Sequence, residues 1–291
     1  MRVFVTGATG FVGSAVVREL LGAGHEVVGL ARSDEKAATL AATGAEVRRG
    51  TLQDIEGLRA AAAGADAVVH TAYIHDDFAD LTAAAATDRA AIAALGEALE
   101  GKPFVVTAAT GPVAPGRVAT EEDVADPDFP RSQSEAAALA FAERGVRVSV
   151  LRLPHSVHGE GDRHGFVPAL IRLAREKGVS AYPGDGAGRW AAVHRLDAAR
   201  AYRLAVEAGL SGVRLHAVGD EGAPLRVLAE VIGRHLGVPV ESAAPDHFGW
   251  LAHFAALDSP ASSELTRKWL GWVPEGAGLV ADLEAGHYFV E

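Results

Sequence analysis

Three glycines spaced three residues apart near the amino terminus, Gly7, Gly10 and Gly13, carry the plainest chemistry in this 291-residue chain. They follow an apolar run, Val3 to Val5, and precede apolar positions at helical spacing: Ala15, Val16, Leu20 and Leu21. That order reads as strand, tight turn and helix. In such a unit the first glycine permits the sharp turn, the second lets the backbone approach a pyrophosphate, and the third lets the helix pack on the strand. The helix amino terminus then offers unpaired N–H donors to the phosphates. Gly7, Thr9, Gly10, Phe11, Val12 and Gly13 are therefore expected to hold a dinucleotide.

The residue after the second strand meets the adenosine ribose, where an acid selects NAD and a basic side chain accommodates the 2′-phosphate of NADP. Here the strand Val27 to Leu30 leads into Ala31, Arg32 and Ser33, with no carboxylate before Asp34. The guanidinium fork of Arg32 and the hydroxyl of Ser33 suit a phosphate, so NADP is expected over NAD. The competing reading is a solvated loop arginine.

Active sites of such sheets lie beyond the carboxyl ends of the strands. The loop after the fourth strand offers Tyr73, His75, Asp76 and Asp77, and the loop after the sixth offers His155, His158, Asp162 and His164. Tyr73, His75 beside Asp76, His155 and Thr110 are the candidate proton-handling groups. For each histidine a solvated loop position is the alternative. No metal is expected, because His155, His158 and His164 lack a fourth ligand at familiar spacing. His70 closes a buried strand and reads as structural. Arg189-Trp190 reads either as a clamp for an anionic or planar substrate or as loop packing.

The elements that position these groups alternate through the first half of the chain, which predicts a doubly wound parallel α/β sheet. Further strands are expected at about 45–49, 67–70, 104–107, 147–152 and 214–218, and alanine-rich helices at about 81–99 and 135–143. After Leu153 the alternation breaks into glycine- and proline-rich loops, and from Pro224 onward come short helices and three of the four tryptophans. With 49% hydrophobic and 22% charged residues the composition is that of a globular protein. A formal charge of −11 disfavours nucleic acid. There is no cysteine, hence neither disulfide nor thiolate chemistry. No apolar run approaches the roughly 20 residues that span a bilayer. A soluble cytoplasmic protein acting on a small molecule is expected.

Thr6-Gly7-Ala8-Thr9-Gly10-Phe11-Val12-Gly13 resembles the TGxxGxxG motif of the extended and atypical short-chain dehydrogenase/reductases, the NAD-dependent epimerase/dehydratase-like group. Asp66 to Ala72, Phe104 to Thr107, Val148 to Gly159 and Val193 to Asp197 match further pieces in the same order. The resemblance implies a Rossmann domain over 1–153, completed by about 194–218, with 154–193 and 219–291 as a substrate lobe. It also implies cofactor contacts from Thr71, Ala72, Thr107 and Pro154, and from Asp54 beside adenine, although the usual acid directly after the glycine is Thr51 here. His194 and Asp197 match an element that ties the lobe to the sheet, with Asp197 expected to cap a helix. The alanine-rich helices are expected either to pair across a homodimer or to pack within the chain.

One expectation of the resemblance fails outright. The family's tyrosine acid is followed four residues later by a lysine. Tyr73, Tyr182 and Tyr202 are followed at that distance by Asp77, Gly186 and Val206, and Tyr288 lies too near the end. Phe129 and Gln133 stand where the pair belongs, and an alanine of Thr107-Ala108-Ala109-Thr110 stands where the serine belongs. Phenylalanine has no proton to give, and glutamine no charge to acidify a neighbour. Three readings follow: an NADP-dependent reductase of atypical mechanism acting on a carbonyl, conjugated alkene or iminium; an isomerase, lyase or cyclase on the same scaffold; or an NADP(H)-binding sensor without catalysis.

Overall fold

The computed structural model describes residues 1–74, 81–111 and 113–290. Strands and helices alternate as β1 (Arg2–Thr6), α1 (Phe11–Gly22), β2 (Glu26–Ala31), α2 (Asp34–Ala41), β3 (Glu46–Arg49), α3 (Ile55–Ala63), β4 (Ala67–His70), α4 (Leu81–Gly96), β5 (Pro103–Ala109), α5 (Pro130–Leu139) and β6 (Arg147–Leu153). There follow β7 (Ser156–His158), α6 (Phe166–Lys177), β8 (Ser180–Pro183), β9 (Arg189–His194), α7 (Arg195–Ala208) and β10 (Val213–His216). The chain ends with β11 (Asp220–Pro224), α8 (Leu225–Leu236), β12 (Val240–Ala243), α9 (Ala252–Ala255), α10 (Glu264–Leu270) and α11 (Leu279–Glu284).

The main sheet has seven strands in the order β10-β6-β5-β4-β1-β2-β3. Every neighbouring pair is parallel. Strand order reverses between β1 and β4, which opens a crevice at their carboxyl ends. Both faces of the inner strands are covered, which is why these read as continuous apolar runs, whereas the edge strand β3 reads Glu-Val-Arg-Arg. On one face Val3, Val5, Val69, Val105 and Leu151 pack against α1 and α7. On the other, Phe4, Val68, Phe104, Val106 and Val150 meet Leu58, Ile92, Leu95 and Ala138 of α3, α4 and α5.

The two alanine-rich helices lie side by side on that second face. Their small side chains admit close approach, and a Cβ on Gly96 would sit 2.8 Å from the Phe141 ring. The second helix starts earlier than its alanines suggest, at Pro130, because proline at the first helical position needs no N–H partner and has its φ already set. It ends at Leu139 and tightens into a 3₁₀ turn over Ala140–Arg144.

The lobe has its own core of Val167, Leu170, Ile171, Trp190, Leu228, Ile232 and Leu283. It carries a three-stranded sheet in the order β11-β9-β7 and the parallel pair β12-β8. Asp197, in the first turn of α7, fastens it to the main sheet: its carboxylate accepts the backbone N–H of Glu275 at 3.0 Å and Gly276 at 2.8 Å. The cap of α7 is His194, whose Nδ1 accepts from the Leu196 N–H at 3.4 Å, so Asp197 holds a distant loop rather than its own helix. Among the described residues no helix is long and apolar enough to cross a membrane.

Candidate functional site

The glycine turn is built so tightly that side chains are excluded. Gly7 sits at φ +68°, and a Cβ on it would lie 2.6 Å from Thr71 Oγ1 and 2.7 Å from the Ala72 nitrogen. A Cβ on Gly13 would lie 2.0 Å from the Gly7 carbonyl oxygen. The Gly10 N–H donates to that same oxygen at 2.9 Å. Gly10 also begins α1 and supplies no side-chain cap, and the first turn carries no acid. The Gly13 N–H thus lacks the side-chain acceptor that Ser33 gives Lys36 in α2 and Asp54 gives Gly57 in α3, the Phe11 and Val12 N–H groups lead the helix, and the positive end of the helix dipole faces the crevice between β1 and β4. Thr9, Gly10, Phe11 and Val12 fit a bound pyrophosphate on this ground.

Arg195 was not legible as part of this turn. Its guanidinium donates to the Phe11 carbonyl at 2.8 Å, to Ser14 Oγ at 3.0 Å and, from the other nitrogen, to the Glu160 carbonyl at 2.9 Å. It also lies 4.3 Å over the Phe11 ring. One side chain therefore joins the phosphate turn to the lobe. The sequence signal was its place directly before the Leu196-Asp197 pair.

At the ribose end, Arg32 is exposed just past β2. Its carbonyl accepts from Arg49 at 3.3 Å, and Arg49 also pairs with Asp34 at 3.1 Å. Ser33 Oγ accepts the Lys36 N–H at 3.3 Å as the cap of α2. Asp54 accepts the Gly57 N–H at 3.0 Å as the cap of α3, and Thr51 Oγ1 accepts the Gln53 N–H at 3.3 Å.

Deeper in, a buried relay runs from Thr6 Oγ1 to His70 Nδ1 at 2.8 Å and from His70 Nε2 to Asp88 Oδ1 at 2.9 Å. A carboxylate only accepts, so Nε2 donates to Asp88. Burial pushes the Asp88 carboxyl up, but the His70 bond and the Arg131 guanidinium more than offset this, holding it below the ordinary range. Thr71 Oγ1 donates to the Thr6 carbonyl at 2.8 Å, and the Ala72 N–H to Thr6 Oγ1 at 3.3 Å. Thr107 donates to the His70 carbonyl at 2.7 Å and accepts from Tyr202 at 2.6 Å. His70 is structural in this sense: it locks β1, β4 and α4 together.

Phe129 stands at the start of α5 without a side-chain cap bond, and Gln133 is exposed, donating to the Pro127 carbonyl at 3.5 Å. Between them Arg131 turns inward and places its guanidinium 4.1 Å over the Tyr73 ring. Burial raises the Tyr73 hydroxyl and Arg131 lowers it, with a net upward shift. Sequence reasoning singled out Tyr73 and missed Arg131, because it compared only the two positions flanking it. His75, with Asp76 and Asp77, lies outside the described residues.

Where β5 and β6 end, the Thr110 N–H donates to the Leu153 carbonyl at 3.0 Å, while its hydroxyl is buried with no partner among the described residues. Next to it, a Cβ on Gly111 would lie 2.8 Å from Cε1 of His155, so the ring rests on this glycine. Pro154 is buried beside it. His155 Nδ1 meets Ser259 Oγ at 2.8 Å, and its ring stacks on Trp190 at 5.8 Å. Burial, with some help from His253, lowers the imidazole to about 4, leaving it neutral near pH 7. Thr110 and His155 are thus brought together, as are Tyr73 and Arg131.

The other loop groups are engaged elsewhere. His158 meets Asp282 at 2.9 Å and Asp162 accepts the Gly165 N–H at 2.8 Å. No group of three potential ligands converges on a metal among the described residues. Arg189 is held by Asp258 through two bonds of 2.9 and 2.8 Å, and the buried Trp190 donates to the Phe254 carbonyl at 3.1 Å.

A seven-stranded Rossmann sheet with this glycine turn is the architecture of the extended short-chain dehydrogenase/reductases. The chain belongs to the NAD dependent epimerase/dehydratase family, whose model matches residues 3–218. An uncharacterized protein of Schizosaccharomyces pombe is 48% identical over 99% of this chain and 100% of its own length. A 3-diazoavenalumate denitrifying reductase of a Streptomyces species is 31% identical over 94% of this chain and 96% of its own. Among solved structures, a double mutant of the dTDP-glucose 4,6-dehydratase DesIV of Streptomyces venezuelae superposes with a TM-score of 0.78 at 22% identity, covering 99% of this chain and 97% of that one.

Proposed function

We propose that the chain is an NADP(H)-dependent reductase of a small-molecule carbonyl, conjugated alkene or iminium, working without the usual tyrosine and lysine and acting as a homodimer paired through α4 and α5. The observation that carries this reading is the uncapped amino terminus of α1 above a glycine turn closed to any side chain at Gly7 and Gly13. The likeness to a reductase over nearly the full length adds to it. Reduced nicotinamide, when bound, supplies the hydride.

The chain's own groups hold and polarise the substrate. The Ser259 hydroxyl lies 2.8 Å from His155 Nδ1 and 3.4 Å from the Arg189 carbonyl; given to the nearer acceptor, its proton leaves the donor proton of the neutral imidazole on Nε2, and Thr110, next to the glycine on which His155 rests, carries a second hydroxyl. A neutral imidazole suits a developing oxyanion because it donates a hydrogen bond without a permanent charge. Tyr73, with the Arg131 guanidinium on its ring, is the remaining proton donor on the opposite loop. Arg32 accommodates the 2′-phosphate.

Calorimetric titration with NADP⁺, NADPH, NAD⁺ and NADH tests the reading. NADPH is expected to bind most tightly, and Arg32→Ala to weaken NADPH by about tenfold while leaving NADH nearly unchanged. Absence of heat with all four nucleotides removes the proposal; equal losses for NADPH and NADH remove the NADP preference.

A further inference from the structure

Beyond the carboxyl end of β6, rings from four separate segments converge on His155. Phe166 opens α6, Trp190 lies in β9, and Trp250 and Phe254 come from the turn before α9 and from α9 itself. Ring centroids of Phe166 and Phe254 are 4.9 Å apart, and each lies about as near to His155, at 5.8 and 6.2 Å. Trp250 extends the wall, 6.2 Å from Phe166 and 6.4 Å from Phe254. Trp190 is fully buried and forms the floor, whereas Phe166 and Phe254 are half-buried and Trp250 is 50% exposed. The result is a graded apolar wall with His155 Nε2 at its base, since Nδ1 is taken by Ser259, and with the His253 ring 5.5 Å from Phe254.

Charge narrows what this wall receives. The cation nearest in sequence to Trp190 is Arg189, and both ends of its fork are bound to Asp258. A diphosphate-linked sugar needs cations for its phosphates. Flat π-systems need only ring faces, and a carbonyl oxygen needs one donor.

We infer that the rings around His155 form a clamp for a flat, uncharged aromatic or conjugated carbonyl compound, laid against Phe166, Phe254 and Trp250 with its oxygen on His155 Nε2. This names the substrate class of the reductase proposed above and rests on that reading. A nucleotide-linked sugar is not a ligand of this wall. Phe166, Phe254 and Trp250 are its specificity-determining side chains.

The test is calorimetric titration of the full chain with naphthalene-2-carbaldehyde and with UDP-glucose, each with and without saturating NADP⁺. The aldehyde is expected to bind and UDP-glucose to give no heat. Phe254→Leu and Trp250→Leu keep apolar bulk but lose the ring face; each is expected to weaken the aldehyde about three- to tenfold while leaving NADP⁺ affinity unchanged. Thermal melts confirm folding, and the exposed Trp250 serves should Phe254→Leu unfold the lobe. Tighter binding of UDP-glucose, no binding of the aldehyde, or parental affinity in both variants overturns the clamp. Aldehyde binding without any nucleotide binding leaves the clamp standing and removes the reductase; nucleotide binding without the aldehyde does the reverse.

Discussion

Gly13 is the position where one added carbon does most damage, since its Cβ would meet a backbone oxygen and no rotamer can relieve it. Gly13→Ala is expected to cost about 1–3 kcal/mol of stability, read from urea unfolding, and to abolish dinucleotide binding as α1 shifts off β1. Protons make a second residue-scale prediction. Burial holds His155 and His216 neutral, each lowered to about 4, whereas the unfolded chain titrates them near pH 6.5. Between those values the unfolded state binds more protons, so stability falls as pH drops from about 6.5 to about 4 and is fully present above. His216→Gln is expected to flatten that slope in urea midpoints measured against pH; an unchanged slope speaks against a neutral buried imidazole. The glycine turn was legible in sequence because its chemistry is motif-bound, and Tyr73 and His155 were singled out by their place after β4 and β6. Arg131 and Arg195 were not, since each acts on a partner far away in the chain, Tyr73 in one case and Phe11 in the other.

At the scale of elements, one buried carboxylate joins a helix to two strands. Glu135 of α5 accepts from Arg152 of β6 at 2.5 and 2.8 Å and from Arg214 of β10 at 2.7 Å, and Arg152 reaches His216 at 3.2 Å. The Arg152 side chain is wholly buried. Glu135→Ala strands that guanidinium without its counter-ion, and a loss of about 3–5 kcal/mol is expected in chemical denaturation; a loss under 1 kcal/mol would mean that the arginines find other acceptors. Strands of the main sheet were legible to within a residue or two because the inner ones, covered on both faces, read as apolar runs. The reach of α5 was not: alanine richness marked its middle, while Pro130 fixes its start. The short strands of the lobe, β7 to β9, β11 and β12, were not read as strands, because their partners are far apart in sequence and, β9 apart, little of each is apolar.

For the whole molecule, the homodimer proposed above would pair two copies through the exposed alanines of α4 and α5. Sedimentation equilibrium is expected to give twice the chain mass, and Ala90→Arg or Ala136→Arg, both on exposed positions, to return it to one; a monomeric parent removes the dimer. The breakdown of alternation after Leu153 marked where the chain leaves the main sheet, and the strand read at about 214–218 marked its return, which the structure has as β10 beside β6. That return has a consequence during synthesis. β10 is the edge strand beyond β6, yet the ribosome makes it only after the intervening loops and helices of the lobe, roughly sixty residues later. At about 5–20 residues per second, β6 waits ~3–12 s with one edge unpaired and Arg152 lacking its Arg214 and His216 neighbours. An open parallel edge of that lifetime is a template for wrong pairing. Synonymous codons that speed or slow translation between 154 and 212 should therefore change the yield of folded protein without altering a single residue.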